Sequence, residues 1–275
     1  VHKEKTSLKI EDILAAGYEM KAAEKGSWRI YDEANPIPGY FEFDWLSSRF
    51  PDLYHDFAVS TVGLIDKLHT LIDFTGMHVL DVGAGTGRSS IELSKKATKV
   101  SSTDVYSSVI EFGKNEIQRL GIQNIDYTYG DRDQLPFEDN TFDAVVFSWA
   151  EPNHNEAYRV LKNNGYLIQM ASIPEALCGE ITDLLHGTHV NDPRIFLPDY
   201  PDEVDQKDNT VFSGIPLNGG VDVCRFTYLS RYASPEELGA IVGRLYGPQA
   251  KAYFLTRHQA TYAWRNEILI GRVKK

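Results

Sequence analysis

Cysteine is nearly missing from this chain: Cys178 and Cys224 are the only two among 275 residues. Two cysteines exclude a disulfide scaffold, and they lack the spacing of a metal-ligating cluster. Long apolar runs are missing as well. No stretch reaches the roughly 18 consecutive apolar residues of a transmembrane helix. The first residues, Val1-His2-Lys3-Glu4-Lys5, lack the apolar core of a signal peptide. A reduced, cytoplasmic setting is the expectation. Basic residues are the minority, 28 Lys and Arg against 39 Asp and Glu, for a net charge of −11. That balance argues against a nucleic-acid partner, since such binding needs a basic surface to displace counterions. Internal repeats and low-complexity tracts are absent too. What is present is a 42% apolar chain, enough to build one large α/β domain with an elaborated cap.

The most informative stretch is His78-Val79-Leu80-Asp81-Val82-Gly83-Ala84-Gly85-Thr86-Gly87-Arg88. A short apolar run ends in an acid, three alternating glycines follow, and residues 89–97 then read as a helix. Strand, tight turn and helix in that order can hold a nucleotide-like ligand. Glycine is needed where backbone takes positive φ or touches the ligand, because a Cβ would clash. Arg88 stands where G-x-G-x-x-G would have its last glycine, which argues against a dinucleotide pyrophosphate and for another adenosine ligand. Val100-Ser101-Ser102-Thr103-Asp104 reads as a second strand ending in an acid, a position from which a carboxylate can accept both ribose hydroxyls. Residues 127–137, with Gly130-Asp131-Arg132, form a third segment. Residues 140–149 hold an apolar run suited to a buried parallel strand, and residues 156–168 read as helix, turn and fifth strand.

These five segments in this order resemble the class I S-adenosylmethionine (SAM)-dependent methyltransferases. The nearest flavour is the small-molecule group that includes the ubiquinone and menaquinone biosynthesis enzymes. The resemblance covers roughly residues 75–172, and is one of layout only over 226–273. Two departures stand out: Asn163-Asn164-Gly165 replaces the usual proline-glycine-glycine turn, and the segment from Trp149 to Glu156 is short.

The implied fold is a Rossmann-like doubly wound sheet, mostly parallel, with a C-terminal antiparallel hairpin, helices on both faces and a cap. Strands are expected near 77–82, 99–104, 125–129, 142–148 and 165–171. Residues 251–256 and 267–273 are expected to form the closing hairpin, after a helix that starts at Ser234-Pro235-Glu236-Glu237. Apolar spacing at Leu8, Ile10, Ile13, Leu14 and Tyr18 predicts an amphipathic helix over 8–25. Residues 53–72 predict another. The prolines and glycine of 35–39 exclude a regular element there. Residues 174–225 form a long excursion that the core does not need, which is read as a lid. The expected organisation is therefore 1–73 as an N-terminal cap region, 74–173 as the SAM-binding core, 174–225 as an inserted lid and 226–275 as completion of the sheet.

The resemblance implies the site residues. Gly83, Gly85 and Gly87 would form the floor under the methionine and ribose portions, with Ala84 beside them. Asp81 would orient the turn or the amino group. Asp104, with Val105 next to it, would bind the ribose, although Asp104 also fits a helix N-cap. Asp131 would accept from the adenine amine and the Arg132 backbone N–H would donate to a ring nitrogen, while both Asp131 and Asp133 also read as solvated loop acids. Ser148 and Trp149 would line the methionine end. A general base, where the acceptor needs one, would be His154, or else His186 or His189; each equally reads as a packed or surface histidine. No metal is expected. The aromatics Trp28, Tyr31, Tyr40, Trp45 and Tyr200 suit either core or the wall of a planar acceptor site.

The function these residues imply is methyl transfer from SAM to a small-molecule acceptor by in-line displacement, achieved mainly through positioning. A SAM-binding cyclase, a catalytically silent SAM-binding subunit and a nicotinamide oxidoreductase are the competing readings. The acceptor molecule, the acceptor atom and the oligomeric state are not written in the sequence.

Overall fold

In the computed structural model the described residues are 19–22, 28–31, 40–41, 47–48, 51–57, 61–172, 203–205, 212, 214–246, 252, 255–256, 258 and 260–275. Near the N-terminus, β1 (Glu19–Ala22), β2 (Trp28–Tyr31) and β3 (Tyr40–Phe41) make a small antiparallel sheet. Two helices follow, α1 (Pro51–Phe57) and α2 (Thr61–Leu71). Then come β4 (His78–Val82), α3 (Arg88–Ser94), β5 (Lys99–Asp104), α4 (Ser107–Arg119), β6 (Ile125–Tyr129) and β7 (Phe142–Ser148). The chain closes with α5 (His154–Val160), β8 (Leu161–Ser172), β9 (Glu203–Asp205), β10 (Asp222–Arg231), α6 (Pro235–Tyr246) and β11 (Thr261–Arg272).

The main sheet has the order β6-β5-β4-β7-β8-β11-β10-β9. Its first five strands run parallel, and the last three add antiparallel. From β4 the chain moves outward through β5 and β6, then returns to the other side of β4 for β7. The strand order therefore reverses at β4, and such a reversal opens a crevice beyond the carboxyl ends of the strands.

The central strands are apolar on both faces, as expected for strands covered on two sides. Val79, Val100, Ala144, Val146, Ile168 and Ile268 pack with Leu64, Ile65 and Leu68 of α2, Leu93 of α3 and Ile110 and Ile117 of α4. Leu80, Val82, Val145, Phe147, Leu167 and Leu269 pack on the other face with Ala157 and Val160 of α5 and with Phe212. Each fully buried aliphatic or aromatic side chain contributes about 1.5–3 kcal/mol. Asp143 is a tie between strands: its Oδ2 accepts from the His78 N–H at 2.9 Å and its Oδ1 from Lys162 Nζ at 2.8 Å.

Several expectations are corrected. Residues 19–22, placed in an N-terminal helix by local spacing, form a strand instead, because Met20 and Ile30 pair across β1 and β2; residues 8–18 and 23–25 lie outside the described residues, as do 35–39. The helix expected over 53–72 is two helices, each with its own start. The closing hairpin is not 251–256 with 267–273. Ala252, Leu255 and Thr256 are helical, and β11 pairs instead with β10 through ten residue pairs, from Asp222↔Ile270 to Arg231↔Thr261. The two strands are therefore joined through α6 rather than a tight turn. The helix start at Ser234 is found: Ser234 Oγ accepts from the Glu237 N–H at 3.2 Å and the Glu237 carboxylate accepts from the Ala233 N–H, a reciprocal cap. Within 174–225, β9 extends the sheet, and Phe212, Ile215, Val221 and Val223 are buried. Residues 173–202 lie outside the described residues.

Candidate cofactor site

β4 ends at Val82, and the chain turns on three left-handed glycines: Gly83 at φ 69°, Gly85 at φ 56° and Gly87 at φ 83°. Gly83 is also crowded, since a Cβ there would stand 2.6 Å from the Cβ of Ala150. The turn is fastened to the next strand. Ala84 N–H donates to the Thr103 carbonyl at 2.9 Å, and Gly85 N–H donates to Asp104 Oδ2 at 2.9 Å. Asp104 Oδ1 accepts from the Tyr106 N–H at 3.0 Å. Burial raises the Asp104 carboxyl above its ordinary range, and the bonds from Tyr106, Gly85 and Val105 oppose that rise. The N-cap of α4 is Tyr106, so the capping alternative for Asp104 does not hold.

The third segment joins the same edge. Gly130 N–H donates to the Asp104 carbonyl at 3.1 Å, which sets Asp131 one strand away from Asp104. Asp131 is exposed, and its Oδ1 accepts from the Asp133 N–H at 2.9 Å. Arg132 reaches the loop after β7, bonding the Glu151 carbonyl at 3.1 Å and pairing with its carboxylate at 2.8 Å. The glycine turn, Asp104 and Gly130-Asp131 are thus adjacent, although 48 residues separate Gly83 from Asp131.

Beneath the turn lies a buried polar chain. Ser102 Oγ donates to Ser90 Oγ at 2.8 Å, and Ser90 Oγ donates to Asp81 Oδ2 at 2.6 Å. Asp81 is 0% exposed, and its Oδ1 has no hydrogen-bond partner among the described residues. Burial first, and the Asp104 charge second, push its pKa up to about 7 against the Ser90 bond. Ser148 is buried and accepts from Ser89 Oγ at 2.9 Å. Trp149, at φ 55°, donates its N–H to the Met170 carbonyl at 2.9 Å. Ala84 is buried, while Val105 is 43% exposed, an apolar surface beside Asp104.

The histidine candidates fare differently. His154 Nε2 lies 3.3 Å from Gln169 Oε1, and its ring meets Phe212 edge-on at 5.0 Å. Those contacts belong to the face of the sheet packed by α5, opposite Asp81 and Ser90. The structure does not bring His154 to the glycine turn, and its environment is that of a packed side chain. His186 and His189 lie outside the described residues.

Three neighbours of the turn were not singled out from the sequence. Tyr127, itself buried, donates its hydroxyl to the Gly85 carbonyl, and burial raises its pKa well above the ordinary tyrosine value. From α1, Tyr54 brings its ring edge 3.8 Å from where a Gly85 Cβ would be, and His55 Nδ1 lies 3.0 Å from Thr86 Oγ1. Sequence spacing carries no sign of the α1 contacts, because they span 31 residues. The serines were a readable sign: a buried strand spelled Lys-Val-Ser-Ser-Thr-Asp needs polar partners.

This edge coincides with a family match. Residues 79–165, from β4 into β8, match the family model of a methyltransferase domain. Over these residues the chain is similar to that domain. The chain is 38% identical over 132 residues to the ubiquinone/menaquinone biosynthesis C-methyltransferase UbiE of Haemophilus ducreyi, covering 42% of this chain and 51% of the relative. It is 34% identical over 104 residues to the same enzyme of Escherichia fergusonii, covering 34% of this chain and 41% of the relative. The chain thus spans about half the length of the curated relatives it matches, or less. A solved SAM dependent methyltransferase from Aquifex aeolicus is 27% identical, covers 39% of this chain and 63% of its own, and has a TM-score of 0.37. The matched span holds every described residue that the sequence assigned to the site.

Proposed function

We propose that this chain is a SAM-dependent methyltransferase that acts on a small-molecule acceptor. The observation that carries the reading is the bonding of Asp104 to both Gly85 and Gly130, which gathers the glycine turn and both acidic segments at one edge of the sheet. The donor set fits the cofactor. The Asp104 oxygens accept backbone bonds from Gly85, Tyr106 and Val105, and of the carboxylate's roughly four lone-pair sites one is left for a ribose hydroxyl. The unpartnered Asp81 Oδ1 suits the cationic amino group, directly or through the turn. Asp131 would accept from the adenine amine while the Arg132 N–H donates to the ring. Gly83, Ala84, Gly85 and Gly87 would form the floor, and Val105, Ser148 and Trp149 the sides. When bound, SAM supplies a methyl group already activated on sulfur. The chain's own task is then to align the acceptor and exclude water, which lowers the barrier by positioning.

In this reading the parallel core with α2, β10 and β11 builds the cofactor-binding body, and segments on the N-terminal side of α2 and between β8 and β10 would enclose the acceptor. Their aromatics favour a planar or hydrophobic compound. The named relatives act in quinone biosynthesis, which agrees with such an acceptor class. His186 and His189 are the remaining candidates for a general base. The acidic charge argues against a nucleic-acid substrate, and the scarcity of cysteine agrees with a reducing, cytoplasmic setting. No helix among the described residues is long and apolar enough to cross a membrane.

The test is calorimetric titration with S-adenosylhomocysteine. The wild type is expected to bind, and Asp104→Asn to bind about 10-fold or more weakly, given roughly 1.5–3 kcal/mol for a charge-assisted bond. Release of S-adenosylhomocysteine in the presence of planar acceptors then separates methyl transfer from a non-methylating reaction. A wild type that fails to bind overturns the reading.

A further inference from the structure

α1 is a helix of seven residues whose described contacts reach the glycine turn and α4. His55 is its buried anchor, 8% exposed. On one side of the ring, Nδ1 lies 3.0 Å from the hydroxyl of Thr86, the residue between Gly85 and Gly87. On the other side, Nε2 is 3.8 Å from Glu116 Oε1 of α4. The ring rests against Phe112 with centroids 5.1 Å apart. The His55 carbonyl accepts from Arg88 Nε at 3.1 Å, which ties the helix backbone to the first residue of α3. The neighbouring Tyr54 lies over Gly85.

Carboxylate, imidazole and hydroxyl in a row is the arrangement that activates a nucleophile. Here it ends in a residue that cannot serve as one. Thr86 is 2% exposed and sits within the turn, so no substrate atom reaches its hydroxyl. Glu116 Oε1, which also accepts from Arg119, stands 3.8 Å from Nε2, while Nδ1 is within hydrogen-bond distance of the Thr86 hydroxyl. The row therefore fixes the backbone between two left-handed glycines.

We propose that His55 is a positioning residue for the cofactor: through Thr86 it holds the glycine turn in its binding shape, and through α1 it sets Tyr54 as a wall against the sulfonium nucleoside. This rests on the SAM reading above. The path from His55 to the ligand is indirect, so its loss weakens cofactor binding while leaving the donor set of Asp81, Asp104 and Asp131 intact. Thr86 and His55 act on one element, so their effects are not independent.

The experiment is titration of the 275-residue chain with S-adenosylhomocysteine, using wild type, His55→Ala, Thr86→Val, the double variant and His55→Asn. Thermal unfolding without ligand is recorded for each. His55→Ala and Thr86→Val are each expected to weaken binding about 10-fold, and the double variant no more than either single one. His55→Asn keeps a hydrogen-bonding group near the position of Nδ1 and is expected to recover most of the affinity. Should His55→Ala fail to fold, the near-isosteric Thr86→Val and the Asn variant decide the matter. Single variants within twofold of wild type, or effects that multiply in the double variant, overturn the role of His55 while the cofactor reading stands. A wild type that does not bind overturns the cofactor reading first, and this inference with it.

Discussion

Asp81 is the residue whose chemistry depends most on the fold around it. Burial lifts its pKa from 3.8 to about 7, so the folded protein keeps a proton that the unfolded chain has already lost between those values. The stability that this proton contributes is present below about pH 4 and is lost as pH rises toward 7, at no more than about 1.4 kcal/mol per pH unit. Urea unfolding of Asp81→Asn across that window should show a flatter pH dependence than wild type; equal slopes would refute the buried-acid account. Gly83 poses a different constraint. Gly76→Ala, at φ 82° with open space around it, should cost only the left-handed strain of about 1–2 kcal/mol. Gly83→Ala adds the clash with Ala150 and should cost at least about 1 kcal/mol more, measured by chemical denaturation. The Gly83 turn was legible in the sequence. That Gly83 is held by crowding as well as by φ was not, because Ala150 lies at the end of another strand.

Among the elements, the loop after β6 depends on α5. Arg159 donates to both oxygens of Glu156, to Asp139, and to the carbonyls of Leu135 and Phe137, while Glu156 accepts from the Leu135 N–H. This clamp holds the segment that begins at Asp131. Arg159→Met should destabilise the protein by about 2 kcal/mol and weaken S-adenosylhomocysteine binding several-fold, because carbonyls lose charged donors. Asp139→Ala should cost less than about 1 kcal/mol, since Asp139 is 66% exposed. Denaturation and titration of the two variants side by side check the contrast. The strands at 99–104, 125–129 and 142–148 were readable to the residue: the last is a buried apolar run between turn signals, and the edge strand 125–129 alternates buried and exposed positions over its first three residues. The strand at 19–22 was not, for its pairing depends on residues 28–31 rather than on its own spacing.

Over the whole molecule, the proposed cofactor reading predicts a coupling of binding and stability, because a ligand taken up only by the folded crevice favours the folded state. S-adenosylhomocysteine at 100 times its Kd should add about 2.7 kcal/mol and raise the unfolding temperature, with Asp104→Asn showing a smaller shift at the same concentration. Scanning calorimetry measures both. The sequence by itself was enough to place the central strands and the glycine turn, because turn geometry is a property of neighbouring residues, and the family resemblance supplied the doubly wound sheet around them. Tertiary structure alone decided the rest. It turned His154 toward Gln169 and Phe212, paired β11 with β10 across α6, and set Tyr54 and His55 of α1 on the glycine turn. Those outcomes depend on which distant surfaces bury one another, and no local pattern encodes that.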